Sequence, residues 1–258
     1  MENINEDILK LKGEAPHLEI KNDLIRNMTS DNLYHLALST RTHNFKEMFQ
    51  DIKFVCVGGS SKRMEKFAQF IASELGIKTP CINLASETDR YALFKAGPVL
   101  IASHGIGTPS ISIVMHEILK LLYHARCQDK VTFFRLGTCG GLGLKPGTVV
   151  ISDTAVDGLF REKYEARLDG AFCGYTQDQK MAFLIEAYKK GVRNIEMESL
   201  CFLAMCHQAN VKGAVICVTL LDRLKSDQIS ETKTTLKEWE ERPAKIALRY
   251  IKSELSKN

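Results

Sequence analysis

Two glycine-containing segments carry an arginine in a position suited to binding a phosphate. In VGGSSKR (57–63), two glycines and two serines separate an apolar segment from a helical one that carries Arg63 in its first turn. Backbone N–H groups at a helix start and a guanidinium form a cradle for an anion, although an ordinary tight turn with a solvated arginine has the same pattern. RLGTCGG (135–141) begins with Arg135 near the end of an apolar strand, where a lone charge needs a bound anion or an internal ion pair. Thr138 adds a hydroxyl group beside it.

A third segment, NIEMES (194–199), places two carboxylates around Met197 at a point where a strand is predicted to turn into a helix. A carboxylate at a helix start can cap backbone N–H groups, and the methionine can fill core. The functional interpretation is that a carboxylate of this segment accepts paired hydrogen bonds from a polyol while Met197 forms an apolar floor. Strand alternation turns Glu196 away from Met197 and toward neighbouring elements, which favours a structural role for Glu196.

These segments lie between elements of alternating type. Strands are predicted over 53–59, 97–107 and 131–138, with helices over 60–76 and 109–125 between them. The later elements are strands over 147–156 and 213–221 and helices over 177–191, 198–209 and 234–255. This order is typical of an α/β protein, here a single domain with a central mixed, twisted sheet flanked by helices. Ligands of such sheets bind at the carboxyl ends of the strands, where the three segments lie.

Three further segments are less informative. TLLDR (219–223) ends an apolar strand with Asp222 and Arg223, which can form an ion pair or join the site. SHGIGTPS (103–110) contains GxG without the third glycine of a dinucleotide fingerprint, which makes a Rossmann oxidoreductase a weaker alternative. HEILK (116–120) lacks the second histidine of HExxH, which excludes metalloprotease chemistry.

Composition argues against several classes of protein. The 258 residues include 35 basic and 31 acidic ones spread along the chain, a balance that argues against broad nucleic-acid or membrane binding. Eight cysteines without a CxxC pair argue against zinc binding and against a secreted disulfide scaffold. The N-terminus lacks the pattern of a signal peptide, so we expect a cytoplasmic protein. Residues 1–30 are expected to form an extension that packs on the domain (31–258) or on a partner subunit.

Several motifs match one family in order and spacing. They are VGGSSKRM, TDRYALFKAGPVL, SHGIGTPSISI, RLGTCGGLGLKPGTVVIS, VRNIEMES and TLLDRLKSDQIS. Together they resemble the animal-type uridine phosphorylases of the nucleoside phosphorylase-I family, and the likeness extends from Asp31 to the C-terminal helix. The resemblance implies the nucleoside phosphorylase-I fold and the reversible phosphorolysis of uridine to uracil and ribose 1-phosphate in pyrimidine salvage. Deoxyuridine and thymidine are further candidate substrates.

The same resemblance implies roles for individual residues. Those that bind phosphate are Gly59, Arg63, Arg135 and Thr138, with Arg90 of the partner subunit. Those that bind ribose are Thr138, Met197 and Glu198, with His35 of the partner subunit. Those that line the base are Gly140, Arg167, Leu220, Leu221 and Ile229. Those expected to act in the catalytic step are Arg63, Arg135, Glu198 and, near the leaving group, Arg223.

These roles suit the chemistry of phosphorolysis at an N-glycosidic bond. Positive charge grows on the ribose, so a phosphate dianion fixed beneath the anomeric carbon both attacks and stabilises the sugar. Guanidinium donors assist uracil, which leaves as an anion. The resemblance implies no metal and no organic cofactor, because orthophosphate is a co-substrate. Since His35 and Arg90 come from a second chain, it also implies a two-fold homodimer with shared sites.

The chain departs from the family pattern in three places. VDGLFREKYEA (156–166) runs directly into RLDG (167–170), where the family has several dozen residues that include an aromatic residue and a Gln-x-Arg motif. Only Arg167 of that motif remains, which reduces the directional contacts to the base. An omitted segment fits the clean match of the flanks, and a natural shortening is the alternative. Asp222 stands where the family has Asn and keeps a purine nucleoside as an alternative substrate, while Cys139 replaces a small hydroxylic residue.

Other functions are compatible with the same motifs. A purine nucleoside phosphorylase and a hydrolytic nucleosidase share the fold, but Arg63, Arg90 and Arg135 make an unusually rich anion site for a reaction that uses water. A non-catalytic nucleoside-binding protein is the third alternative, and the missing Gln favours it. Uracil release from uridine with and without phosphate separates the three.

Overall fold

A seven-stranded sheet organises the residues that the structure, a computed structural model, describes: 17–127, 129, 131–156 and 175–257. Its strands are β3 (Phe54–Gly58), β4 (Leu93–Ala96), β5 (Val99–Ser103), β6 (Thr132–Gly141), β7 (Val149–Ser152), β8 (Asn194–Ile195) and β9 (Lys212–Asp222). A separate hairpin consists of β1 (Asn32–Leu33) and β2 (Leu38–Ser39). The strands predicted from the apolar runs are present, although their ends differ from the predicted ones. In addition, β4 forms an antiparallel edge strand that the sequence pattern did not reveal.

The sheet is mixed, as expected. Its order is β4-β5-β3-β6-β9-β7, and β8 pairs with the end of β6. The four strands β5, β3, β6 and β9 run parallel, while β4, β7 and β8 are antiparallel to their neighbours. Because parallel strands end at the same edge, the segments that follow β3, β5, β6 and β9 gather there. The expectation that the informative motifs share one edge of the sheet is confirmed.

Eight helices surround the sheet in the described part of the chain. They are α1 (Asp23–Arg26), α2 (Phe45–Phe49), α3 (Ser61–Glu74), α4 (Thr108–His124), α5 (Gln177–Lys189), α6 (Ser199–Gln208), α7 (Lys233–Glu240) and α8 (Arg242–Leu255). The single helix predicted over 234–255 is wrong, because the chain breaks at Glu241 into α7 and α8. Pro243 explains the break: it has no N–H to donate to the carbonyl four residues earlier, in α7, whereas the first turn of α8 accommodates it without loss.

Each face of the sheet packs against its own layer of helices. Alternate residues of β3 point to opposite faces, so Val55 and Val57 join one apolar cluster and Phe54 and Cys56 join the other. Helices α4 and α6 contribute to the first cluster, and helices α3 and α8 contribute to the second. Burial on both faces explains why the parallel strands read as continuous apolar runs rather than alternating ones.

The described part of the N-terminal extension contacts the domain. Leu18 is buried in the first core cluster, and the N–H of Glu19 donates to the carbonyl of Ala209 at 2.9 Å. In the described residues, every helix is too short or too polar to cross a bilayer.

Candidate active site

Arg135 lies at the centre of the candidate site, on β6, with its side chain 4% exposed. Its terminal nitrogen Nη2 forms ion pairs with Glu196 Oε2, at 2.5 Å, and with Glu198 Oε2. The other terminal nitrogen, Nη1, donates to Cys217 Sγ on β9 at 3.3 Å. The internal ion pair considered for Arg135 is therefore present and offsets the desolvation of a buried charge. The Nε–H group has no partner among the described residues, so one donor stays available to an anion.

Glu196 and Glu198 make different contacts although they are two residues apart. Glu196 accepts hydrogen bonds from the backbone N–H of Ser199 and, at 3.2 Å, from that of Glu198, at the start of α6. Glu198 makes no side-chain capping bond and instead accepts from the N–H of Gly107 at 2.6 Å, just before α4. Glu196 is thus the helix cap, as a structural residue would be, and Glu198 joins Arg135 to the segment after β5.

These two carboxylates share one guanidinium, and their pKa values move in opposite directions. Burial raises the pKa of Glu196, because Arg135 offsets only part of the desolvation. Burial also opposes the charge of Glu198, but Arg135 and the N–H of Gly107 lower the pKa of Glu198 overall. Burial opposes the charge of Arg135 as well, yet the carboxylates raise its pKa. Glu198 is therefore the more strongly ionised acid and the better acceptor for hydroxyl groups.

Arg63 and Gly59 lie together at the end of β3. Ser60 Oγ accepts from the N–H of Arg63 at 3.4 Å, which caps α3 and directs the first turn of that helix to the edge of the sheet. A Cβ on Gly59 would lie 3.6 Å from Arg63 Nη2 and 3.0 Å from the carbonyl of Gly105. Arg63 Nη1 is also 3.8 Å from Glu240 Oε2 on α7, a separation that leaves the guanidinium loosely held. Gly59 therefore leaves space beside Arg63 that a side chain would crowd, and the anion cradle predicted from VGGSSKR stays a prediction.

Arg223 and Gly140 are in direct contact at the ends of β9 and β6. A Cβ on Gly140 would collide with Arg223 Nε, so only glycine lets the arginine stack on that backbone. Arg223 Nη1 donates to Asp227 Oδ1 at 2.8 Å, and its Nε has no partner among the described residues. The structure therefore brings together the residue predicted to line the base and the one predicted to assist the leaving group.

The residues predicted to form the apolar wall differ in exposure. Gly140 pairs with Leu221 and Cys139 with Thr219, so Leu220 is the extra residue of a β-bulge. A bulge redirects a side chain relative to the regular pleat, and bulges are common beside active sites. Leu221 is buried, whereas Ile229 is 46% exposed.

Two other predicted residues lie on the sheet edge. Thr138 is half-buried on β6, three residues beyond Arg135 and opposite Val218. Met197 is 43% exposed, and its carbonyl accepts from Thr108 Oγ1 at 3.3 Å. Its exposure leaves the thioether able to contact a sugar. In the described residues, no group of three or more His, Cys, Asp or Glu side chains is placed to hold a metal ion.

Comparisons with known proteins identify the family of this chain. Residues 53–187 and 170–252 match the family described as the phosphorylase superfamily. The chain belongs to the phosphorylase superfamily. Uridine phosphorylase 2 of Mus musculus is a relative, 43% identical over 288 aligned positions that cover 92% of this chain and 90% of the mouse protein. The family expected from the motifs is confirmed.

Solved structures of this superfamily share the fold. A structure from a study of two uridine phosphorylases of the oomycete Phytophthora capsici is 39% identical, with a TM-score of 0.87, and the match covers 94% of this chain and 99% of that one. Uridine phosphorylase of Schistosoma mansoni in complex with thymidine is 33% identical, with a TM-score of 0.86, over 92% and 99% of the two chains. The nucleoside phosphorylase-I fold is confirmed.

The comparisons also show that this chain is shorter than the mouse relative within the aligned region. The 288 aligned positions exceed the 258 residues of this chain, so at least 30 positions, the difference between them, hold a residue only in the mouse protein. The two superfamily matches meet and overlap at 170–187, close to where the shortening was expected. Arg167 itself lies outside the described residues, and its role stays a prediction.

The segments that contain His35 and Arg90 approach each other at Tyr91. Glu117 Oε1 accepts from the backbone N–H of His35 at 2.9 Å and bonds to its Nδ1 at 2.8 Å, which turns Nε2 away from Glu117. The His35 ring is 6.4 Å from that of Tyr91, which follows Arg90. Arg90 is exposed, with its Nε 3.7 Å from Asp89. In the described residues, no hydrogen bond or ion pair joins His35 or Arg90 to Arg135 or Glu198, and their roles in a partner subunit stay predictions.

The ion pair considered for Asp222 and Arg223 is wrong. Asp222 Oδ1 accepts from the backbone N–H groups of Gly143, at 2.9 Å, and Leu224, at 3.2 Å, while Arg223 bonds to Asp227 instead. Asp222 therefore holds two loops in place. Cys139 is buried, and burial together with its hydrogen bond to Cys217 raises the pKa of its thiol, which keeps that thiol protonated and unreactive.

Sequence reasoning missed two buried residues. Glu117 holds His35 and Leu36, and His104 is 1% exposed at the end of β5. The position of His104 could have identified it as a candidate site residue. It is a polar residue that directly follows the apolar run of a parallel strand, and ligands bind at the carboxyl ends of such strands.

Proposed function

We infer that this protein is a uridine phosphorylase, a pentosyltransferase that converts uridine and orthophosphate reversibly to uracil and ribose 1-phosphate. The observation that carries the inference is the pairing of an anion site with a hydroxyl acceptor: Arg135 binds Glu198 at the same sheet edge that carries Arg63. The names of its relatives, the uridine phosphorylases of mouse, oomycete and Schistosoma mansoni, support the same reaction.

Phosphate is proposed to bind between the ends of β3 and β6. Arg63, the Nε–H of Arg135 and the hydroxyl of Thr138 supply donors there, and Gly59 allows close approach of the backbone. Arg90 of the partner subunit completes the set. Phosphate held in this way lies beneath the anomeric carbon, so its attack is effectively intramolecular and its charge stabilises the cationic sugar.

Ribose is proposed to bind on the other side of Arg135. Glu198 accepts hydrogen bonds from the 2′- and 3′-hydroxyls, and its ion pair with Arg135 couples sugar position to phosphate position. Met197 lies under the sugar ring, and His35 of the partner subunit binds the 5′-hydroxyl. The enzyme is proposed to accelerate the reaction mainly by holding phosphate and ribose in one fixed orientation. No strong general acid is needed, because uracil leaves as an anion.

Uracil is proposed to bind between Gly140 and the bulge at Leu220. Arg223 stabilises the negative charge that develops on the departing base, while Leu221 and Ile229 bound the apolar side. Arg167 is the proposed donor to a uracil carbonyl. A site with fewer directional contacts is expected to accept thymidine and deoxyuridine as well.

The proposed enzyme is a cytoplasmic homodimer of the pyrimidine salvage pathway that requires neither a metal nor an organic cofactor. Support for a dimer comes from Arg90, which is exposed, and from His35, which Glu117 holds in place by a hydrogen bond. A two-fold axis then supplies both residues to the site of the other chain.

The test is uracil release from uridine, measured with and without phosphate. Phosphate-dependent release, with ribose 1-phosphate as the second product, is the expected result. Uracil release at the same rate with and without phosphate would identify a nucleosidase. Uridine binding without turnover would identify a binding protein. Inosine and thymidine run in parallel define the base, and inosine cleavage would favour a purine enzyme.

A further inference from the structure

His104 is a buried histidine without hydrogen-bond partners. It directly follows β5 and is 1% exposed, and neither Nδ1 nor Nε2 has a partner in the described part of the chain. Its backbone is held firmly, since its N–H donates to the carbonyl of Gly58 at 2.9 Å and its carbonyl accepts from Ser110 Oγ at 2.5 Å. Leaving a buried polar group unpaired lowers the stability of the folded state. A ring held in this way is suited to a partner that the folded chain does not itself supply.

The ring borders the anion cradle at Gly59. A Cβ on Gly59 would lie 3.9 Å from His104 Cε1 and 3.6 Å from Arg63 Nη2. Cε1 lies between the two ring nitrogens, so each nitrogen is one bond from the atom that faces Gly59. The glycine thus opens a point that an imidazole from β5 and a guanidinium from α3 both approach. A ligand held against the backbone at Gly59 meets both side chains.

We propose that His104 donates a ring N–H to the phosphate co-substrate and is a further phosphate-binding residue beside Arg63 and Arg135. The proposal rests on the proposed function, because it concerns the same anion. A hydrogen bond to a charged acceptor is stronger than one between two neutral groups.

The charges around His104 keep the donor neutral. Burial and the positive charges of Arg135 and Arg63 together lower the pKa of His104 to about 3, and the carboxylate of Glu198 opposes them in part. A neutral imidazole has one N–H donor and one acceptor nitrogen. It can therefore bond to phosphate without adding another positive charge to the two arginines.

The first experiment compares inorganic phosphate binding to the full-length protein by calorimetry. His104→Leu keeps the apolar volume and removes the donor, whereas His104→Gln keeps a side-chain N–H. We expect His104→Leu to weaken phosphate binding about 10-fold or more, and His104→Gln to lie within about threefold of wild type. The KM for phosphate should rise in parallel, while the KM for uridine changes by less than about threefold. His207→Leu, an exposed histidine at the far end of α6, is the matched control.

The outcomes separate this inference from the proposed function. Equal phosphate affinity in wild type and His104→Leu, or equal losses for phosphate and uridine, would overturn the role of His104. Absence of phosphate binding to wild type would overturn it as well. Wild-type protein that binds phosphate through His104 but does not cleave uridine would retain the inference and refute the proposed activity.

A measurement on wild type covers the case in which His104→Leu fails to fold. In protein labelled with [15N]histidine, the ring of His104 keeps neutral-imidazole signals at pH 5, because its pKa is near 3. Added phosphate should shift the protonated ring nitrogen by several ppm and protect its proton from exchange, whereas added chloride should not. Ring signals that do not respond to saturating phosphate would contradict the proposal.

Discussion

The carboxylate of Glu198 binds the guanidinium of Arg135, 63 residues earlier in the chain, and also accepts the backbone N–H of Gly107. We expect Glu198→Ala to lower kcat/KM for uridine about 100-fold or more, because two charge-assisted bonds to the ribose are lost at roughly 1.5–3 kcal/mol each. Steady-state phosphorolysis checks this, with the exposed Glu186→Ala as control. Near-normal activity in a folded Glu198→Ala protein would refute the ribose assignment.

Glu196 should behave differently from Glu198. It caps α6 through the N–H of Ser199, so Glu196→Ala is expected to reduce the free energy of unfolding by about 1–2 kcal/mol. Arg135 keeps Glu198 as a partner, so kcat/KM measured well below the melting temperature should fall less than in Glu198→Ala. Denaturant unfolding and kinetics on the same samples test both statements. An unchanged midpoint together with an activity loss as large as that of Glu198→Ala would reverse the two roles.

Acidification should destabilise the protein partly through His104. Burial lowers its pKa from the ordinary 6.5 to about 3 in the folded state, so between these pH values the unfolded chain binds a proton that the folded chain does not. The free energy of unfolding therefore falls as pH drops from 6.5 toward 3, with a contribution from this group of about 1.4 kcal/mol per pH unit. Urea unfolding from pH 7 to pH 4 should show a shallower dependence for His104→Gln. Identical slopes would show that His104 is not held neutral.

Shared active sites predict complementation between inactive variants. Arg90→Ala lacks the donated phosphate ligand, and Glu198→Ala lacks the ribose clamp. In a mixed dimer, one site receives Glu198 from one chain and Arg90 from the other, so it is complete. Random mixing should restore about one quarter of wild-type activity, since half of the dimers are mixed and each has one complete site. Mixed dimers that form, as shown by a tag pull-down, but remain inactive would contradict site sharing.

Asp222 is expected to have a structural role rather than a role in selecting purines. Its carboxylate accepts the N–H groups of Gly143 and Leu224, and an Asn side chain can keep one acceptor oxygen in that place. Asp222→Asn should therefore retain uridine phosphorolysis within about threefold, and neither form should cleave inosine. Loss of inosine cleavage in Asp222→Asn, from a wild type that had it, would restore the purine alternative.

Local patterns were sufficient to predict the succession of strands and helices along the chain and the edge of the sheet at which the site lies. Apolar runs that alternate with segments of helical periodicity indicate parallel strands, and the carboxyl ends of parallel strands lie at the same edge of the sheet. VGGSSKR and RLGTCGG were therefore expected at the same edge. Patterns were insufficient where a break depends on a single residue, as at Pro243, or where a short edge strand such as β4 lacks a distinctive period. The hydrogen bonds of Asp222 were also missed. Its carboxylate accepts backbone N–H groups of the nearby turns instead of pairing with Arg223, the next residue in the chain.

By itself, the sequence determined the class of chemistry, since arginines beside glycines and a carboxylate after a strand are residue types that bind anions and sugars. Only the tertiary structure decided which residue does what. Glu196 and Glu198 are the same residue type and both pair with Arg135, but Glu196 accepts from the N–H of Ser199 at the start of α6 whereas Glu198 accepts from the N–H of Gly107. His104 became significant only when folding buried its ring beside Gly59 without a hydrogen-bond partner among the described residues. Burial and long-range contacts set the free energy of a polar group, and neither can be read from its neighbours in the chain.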